Sequence, residues 1–293
     1  MALQKVYQKY VPEAIRKSIY AVRAKIMLHA AFPRWDPLAF SDPNVRYMGA
    51  RLASLKGRYA GKRCFLMGNG PSLTQMDLSL FQNELVWGSN RCDLLFDRIA
   101  WRPAFYVAVD KRVVPDISAD IERMTGELKQ TLFFLPVLFR WHAVVTSAEN
   151  LYWFAEKNLD EKHAPQGYFS TDLSRLVRGT FTVTVSALQL AVYLGFNPIY
   201  LIGCDTNYKV IDTVQFEKGD PNLLISSRDD DPNHFVPNYF GAGRKWHDPK
   251  VEHMLLHYEQ SRRVCDSLGV QVLNATVGGK LEVFPRVDYR SLF

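Results

Sequence analysis

A chain of 293 residues, 47% hydrophobic and 23% charged, can bury a sizeable core and is too apolar to stay disordered. Its formal charge is +6, but residues 1–32 carry Lys5, Lys9, Arg16, Lys17, Arg23 and Lys25 against Glu13 alone, so the body is nearly neutral and gives no nucleic-acid footprint. No apolar run is long enough to span a bilayer, and the cations scattered through the first segment break any signal-peptide core.

In chain order, residues 1–32 read as a basic amphipathic helix, with Ile15, Ile19, Val22 and Ile26 at helical spacing. Such a helix suits an anionic membrane surface, and equally a packing or homo-oligomer contact. Residues 33–60, opened by Pro33 and Pro37, read as a connector with one helix near 47–57. The remainder, 61–293, reads as a single domain. Short apolar runs predict strands at Arg63–Gly68, Leu85–Ser89, Ala104–Val109, Thr131–Pro136, Pro198–Gly203 and Val270–Asn274. Thr180–Leu194 predicts a buried helix stopped by Gly195, and Trp246–Leu268 a second helix. Alternating strands and helices imply an α/β fold with a mostly parallel sheet. Gly203–Arg244 is polar and too long for a plain connector, and about 206–245 reads as a lid-like loop insertion. Cys64, Cys92, Cys204 and Cys265 form no CxxC pair and read as reduced core thiols.

The strongest local signal is Gly68-Asn69-Gly70-Pro71-Ser72-Leu73, directly after the first strand. Glycines there let backbone N–H groups approach a phosphate, and Pro71-Ser72 suits a helix start. The motif is neither GxGxxG nor a P-loop, and a ligand-free tight turn is the competing reading. Asn90, Asp110 and Asp205 each end a predicted strand, where open α/β sheets bind ligands; singly, each also reads as a turn or cap. His234 lies in an Asp- and aromatic-rich stretch of the long loop and is the candidate general base. The Asp229-Asp230-Asp231 run reads as solvated loop rather than a metal site. His253 and His257 stand one helical turn apart without a third zinc ligand, so a structural role is expected. Trp246 and Tyr258 are expected in the core.

GNGPSL, the Asn after the second strand, and the block from Thr182 through Ala191–Gly195 to Asp205 together resemble bacterial sialyltransferases of the Campylobacter lipooligosaccharide type. Asn233-His234-Phe235 is similar to that family's Ser-His-Tyr. The same features resemble a broader group with a GNGPS-type motif, which includes flagellin-glycosylation factors and pterin pyrophosphokinase-like proteins. The first resemblance implies a GT-A-like, Rossmann-type nucleotide-binding domain. It implies an inverting transferase that moves a nonulosonic acid from a CMP-activated donor to a glycan or glycolipid hydroxyl, with no essential metal. Gly68, Asn69, Gly70, Pro71, Ser72, Asn90, Asp110 and Asp205 would hold the nucleotide, and Thr182 and Arg178 the donor sugar. His234 would take the acceptor proton, while Tyr208 and Tyr239 would steady the leaving phosphate. The enzyme would work in the cytoplasm, peripheral on the inner face of the membrane. The second resemblance implies a pyrophosphokinase using Mg²⁺ and ATP through Asp110 and Asp205. A non-catalytic nucleotide-binding protein is the third reading.

Overall fold

The computed structural model describes residues 43–141, 144, 148–157 and 169–293. The expected helix at 1–32 and residues 33–42 of the 33–60 connector lie outside the described residues; the helix expected near 47–57 runs from Pro43 to Ala53. In chain order, the first elements are helix α1 (Pro43–Ala53) and strands β1 (Cys64–Met67), β2 (Val86–Ser89) and β3 (Phe105–Val107). Helices α2 (Val113–Asp116) and α3 (Ser118–Glu127) follow, then strands β4 (Leu132–Pro136), β5 (Leu151–Phe154), β6 (Glu156–Lys157) and β7 (Val177–Arg178). Helix α4 (Val183–Leu194) leads into β8 (Ile199–Ile202), β9 (Val214–Glu217), β10 (Asp220–Ser226) and β11 (Lys245–His247). Helix α5 (Val251–Ser267) and β12 (Val272–Asn274) complete the fold.

Seven strands make one parallel sheet in the order β12-β8-β1-β2-β3-β4-β5. Alternate strand residues feed two separate cores, as the two-residue period of a strand requires. Phe65, Tyr106, Phe133 and Tyr200 pack on one face, with Ile121 and Met124 of α3. Leu66, Phe105, Phe134 and Leu201 pack on the other, with Val185 and Leu188 of α4 and Tyr258 of α5. Burial on both faces explains why the strands read as continuous apolar runs. All four cysteines are buried and free, as expected. No described helix is long and apolar enough to cross a membrane.

Helix α4 begins as its sequence dictates: Thr182 is the N-cap, its hydroxyl accepting from the Thr184 N–H, and Gly195 closes the helix at φ 93°. The helix starts at Val183 rather than Thr180. Six strands escape the sequence reading: β5, the two-residue β6 and β7, and β9, β10 and β11, of which β9 and β10 lie inside the segment read as loop. These two pair with β11 as a three-stranded antiparallel sheet, β11-β10-β9. Trp246, read as helical, belongs to β11, and α5 starts five residues later at Val251.

Candidate active site

The strand order reverses between β1 and β8. The chain leaves β1 through β2 to β5 and returns to β8 on the other side. Open α/β sheets bind ligands at the carboxyl ends of strands flanking such a reversal. A cavity of about 790 Å³ lies there, lined by Gly68, Asn69, Gly70 and Asn90 on one side and by Gly203, Cys204 and Asp205 on the other. The small sheet and the 231–240 segment contribute to its walls.

The two strand ends are locked together by glycine. The Gly68 N–H donates to Ile202 O at 2.8 Å and the Gly70 N–H to Gly203 O at 2.9 Å. A Cβ on Gly68 would stand 2.3 Å from Gly203 O, and one on Gly70 1.8 Å from Asp205 Oδ2. Gly203 sits at φ +65°. The motif therefore first solves a packing problem between neighbouring strand ends. Ser72 is drawn into the same contact: its N–H and hydroxyl donate to the Asp205 carboxylate at 3.2 and 2.7 Å. Burial pushes the Asp205 carboxyl up, against the opposing pull of those donors.

Two side-chain oxygens in the cavity are buried without a partner among the described residues, Asn69 Oδ1 and Asn90 Oδ1. The Asn69 amide nitrogen is committed to Ser89 O and Oγ, at 3.3 and 3.0 Å. Asn90 adopts φ 49°, and its backbone carbonyl accepts from the Tyr106 hydroxyl at 2.7 Å. Buried acceptors want donors, and ribose hydroxyls or nucleobase amino groups supply them.

His234 stands in the wall of the same cavity. Its Nδ1 meets Asp231 Oδ2 at 2.7 Å. A carboxylate only accepts, so Nδ1 carries a proton, and in the neutral ring the lone pair is on Nε2. The ring stacks on Tyr239 at 4.0 Å and 2°, with Phe240 edge-on at 5.0 Å. Asp231 is itself pinned by the N–H groups of Asn233 and Phe240, at 2.8 and 3.2 Å. The Phe235 N–H donates to Asn69 O at 3.0 Å, fastening the histidine segment to the β1 motif. Arg91, at the end of β2, donates to Asn238 O at 3.0 Å and to Tyr239 O, holding the segment from below. An orienting carboxylate, a locked ring and an imidazole nitrogen in the cavity wall are the parts that general-base chemistry requires.

A family model for 6-hydroxymethylpterin diphosphokinase MptE-like proteins matches residues 43–210, more than half the chain. The protein belongs to the MptE-like family. The match spans the glycine motif, Asn90, Asp110, Thr182 and Asp205, and ends before the small sheet and His234. It falls on the broader GNGPS-type group, the one with pterin pyrophosphokinase-like members. Among solved structures, this MptE-like chain is similar to the MAf glycosyltransferase from Magnetospirillum magneticum AMB-1, with 15% identity and a TM-score of 0.46. That similarity covers 85% of this chain and 39% of the other, so the chain spans well under half that protein's length. No curated protein matches.

The MptE-like chain brings most of the expected residues together. Gly68, Asn69, Gly70, Asn90, Asp110, Asp205, Thr182, Tyr208, His234 and Tyr239 all line the cavity. Four expectations need correction. Pro71 and Ser72 lie outside the lining, in a five-residue 3-10 turn, because Ser72 is committed to Asp205. Arg178 also lies outside: Gln189 of α4 clamps the β7 backbone at Arg178 N and O, 2.9 and 3.0 Å. Tyr239 lines the cavity with its ring, but it is 1% exposed and its hydroxyl faces the Arg91 N–H. It therefore supports the histidine rather than meeting a phosphate, and burial pushes its hydroxyl's pKa up. Trp246 packs against the core, as expected, and also forms part of the cavity wall.

Asp110 serves as the cap that its strand-end position suggests, accepting from the N–H groups of Arg112 and Val113 at 2.6 and 3.0 Å. It also binds His247 Nδ1 of β11 at 2.8 Å. His257 Nδ1 accepts from the Phe181 N–H at 3.2 Å, and burial, then His253, pulls its pKa down to about 4. The neutral ring thus steadies the loop before α4, the structural role expected of it. Asp231, Arg91 and Glu156 were missed. Burial pushes the Glu156 carboxyl, in the cavity wall near Lys111 and Asp110, up to about 7. Asp231 has one legible signal, its place three residues before His234, although the acidic run around it reads as solvated loop. No group of three potential metal ligands occurs among the described residues.

Proposed function

We propose that this protein is a glycosyltransferase that moves a sugar from a CMP-activated donor, of the nonulosonic-acid class, to a hydroxyl acceptor. The observation that carries the reading is the Asp231–His234 pair in the wall of a nucleotide-sized cavity at the sheet's reversal point. In the transfer, the acceptor oxygen forms a new bond to the anomeric carbon and gives its proton to His234 Nε2. The anomeric carbon–oxygen bond to phosphate breaks, and CMP leaves with the electron pair. Asn69 Oδ1 and Asn90 Oδ1, buried without partners among the described residues, would accept from the nucleoside, and Tyr208, in the cavity lining, would donate to the leaving phosphate. The inverted stereochemistry follows from one in-line displacement with the base on the acceptor side.

A second reading is a diphosphokinase, favoured by the name of the family. It needs a divalent cation on clustered carboxylates. Against it, Asp205 is tied to Ser72, and Asp110 to His247 and the start of α2. One experiment separates the two: thermal stabilisation by CMP, CDP, UDP, GDP and ATP, each with and without Mg²⁺. A ligand at one hundred times its Kd adds about 2.7 kcal/mol. Metal-independent stabilisation by CMP is expected, and stabilisation by ATP only with Mg²⁺ would overturn the transferase reading. Under that reading, His234→Ala keeps the CMP stabilisation and loses transfer by roughly 10²–10⁴-fold.

A further inference from the structure

Six large hydrophobic side chains are exposed among the described residues, and four of them line the mouth of this one cavity. They are Phe181, Tyr208, Val210 and Phe216, at 52, 39, 96 and 57% exposure. Monomeric proteins scatter such residues singly, and their convergence on one rim marks a contact surface. The inner face of the small sheet continues it. Leu224 of β10 pairs with Phe216 on one side and Trp246 on the other, so the three share a face, and all three line the cavity. Trp246 stacks on Phe240 at 4.5 Å and 4°, and Phe240 meets the His234 ring edge-on. An unbroken apolar wall therefore runs from the side of His234 to open solvent. The floor opposite is polar, made of the glycine motif, Asn90 and Asp205.

We propose that the acceptor is lipid-linked: its hydroxyl-bearing headgroup sits at His234, and its acyl or isoprenyl chain leaves along the Trp246–Leu224–Phe216 wall. The inference rests on the reading of His234 as the base. Two features favour a chain over a compact aromatic group. The wall is open at its outer end, where Val210 and Phe216 are the most exposed, so its occupant continues out of the cavity. Exposed Lys111 and Lys209 also line the mouth, which suits the anionic linkage between a headgroup and its lipid.

The test is binding to the full-length protein, saturated with CMP, of octyl glucoside and methyl glucoside, both below the micelle threshold. The octyl compound is expected to bind at least tenfold more tightly. The double variant Val210→Ser, Phe216→Ser, checked for an unchanged melting temperature, is expected to lose that preference. Equal binding of the two glucosides overturns the proposal, as does a preference that survives the double variant. If the two glucosides bind equally and a serine-containing peptide binds instead, the mouth belongs to a protein acceptor. An intact octyl preference with no transfer from any CMP-sugar would remove the transferase reading and leave the apolar subsite standing.

Discussion

Asp231→Asn is the substitution that most directly probes the chemistry. The carboxylate is 5% exposed at its side chain and accepts from His234 Nδ1, Asn233 N and Phe240 N. Under the proposed transferase reading, His234 takes the acceptor proton and an imidazolium forms against that carboxylate. With the charge centres about 4 Å apart and an effective dielectric near 20, the attraction is about 4 kcal/mol. At about 1.4 kcal/mol per decade, its loss lowers the rate of transfer by roughly 10³-fold. The amide adds a second effect. Its NH₂ group offers a proton where the carboxylate offered only lone pairs. Facing Nδ1, it favours the tautomer with the proton on Nε2, which cannot act as base. The assay is single-turnover transfer with the donor saturating, alongside CMP binding as the control for a folded cavity. Unchanged binding with transfer reduced by three decades is expected. Transfer within about fivefold of the parent would refute the role given to both residues.

Two further predictions follow from contacts around the cavity. Gly70→Ala puts a Cβ 1.8 Å from Asp205 Oδ2, a carboxylate that Ser72 holds in place; a loss of roughly 1–3 kcal/mol in denaturant unfolding is expected, and unaltered stability would refute the tight approach of β1 to β8. The small sheet is tied to the β3–α2 segment by His247–Asp110 at 2.8 Å, Arg112–Asp220 at 3.4 Å and Arg244–Asp116. The Asp110 hydrogen bond raises the His247 pKa against burial. Burial pushes the Asp110 pKa up, but the His247 hydrogen bond and charge, with the Val113 and Arg112 N–H groups, hold it below the usual carboxylate value. The histidine's share of the tie is therefore present below its ordinary pKa near 6.5 and fades as pH rises through the higher folded value; the aspartate's share fades as pH falls below the carboxylate range. Hydrogen exchange in 214–247, corrected for intrinsic rates, is expected to quicken above neutral pH and with added salt, and His247→Ala should remove the pH-dependent part.

The sheet was legible where the chain is locally consistent. Runs such as PIYLIG and the capped helix from Thr182 to Gly195 carry apolar periodicity, a start signal and a stop signal in agreement. Strand β5 is only Leu-Tyr-Trp-Phe, too short for a period to show, and it is recognised as a strand only by its register against β4. The small sheet was hidden for another reason. The burial of β9 reads intermediate, exposed, exposed, intermediate, so neither face announces a core. Its apolar residues line the cavity rather than the protein interior, and a cavity wall leaves a weak, broken pattern that reads as loop.

The same logic divides the site. Strand-end positions gave Asn69, Asn90, Asp110 and Asp205, since a parallel sheet delivers them to one edge whatever the intervening sequence does. Arg91 was out of reach, and Asp231 carried only its spacing to His234, because their meaning lies in a fold-back. The segment from Asp231 to Phe240 closes on itself through Asp231, and Arg91 comes from β2 to hold it. The glycine motif shows why function and packing are hard to separate from sequence alone. Gly68 and Gly70 are required by the approach of Gly203 and Asp205, before any ligand is considered. Yet that approach is what brings Asn69 beside the cavity and lets its carbonyl hold the histidine segment through Phe235. A residue larger than glycine would push apart the strand ends on which the candidate base is mounted. The motif thus links the packing of β1 against β8 to the placement of His234.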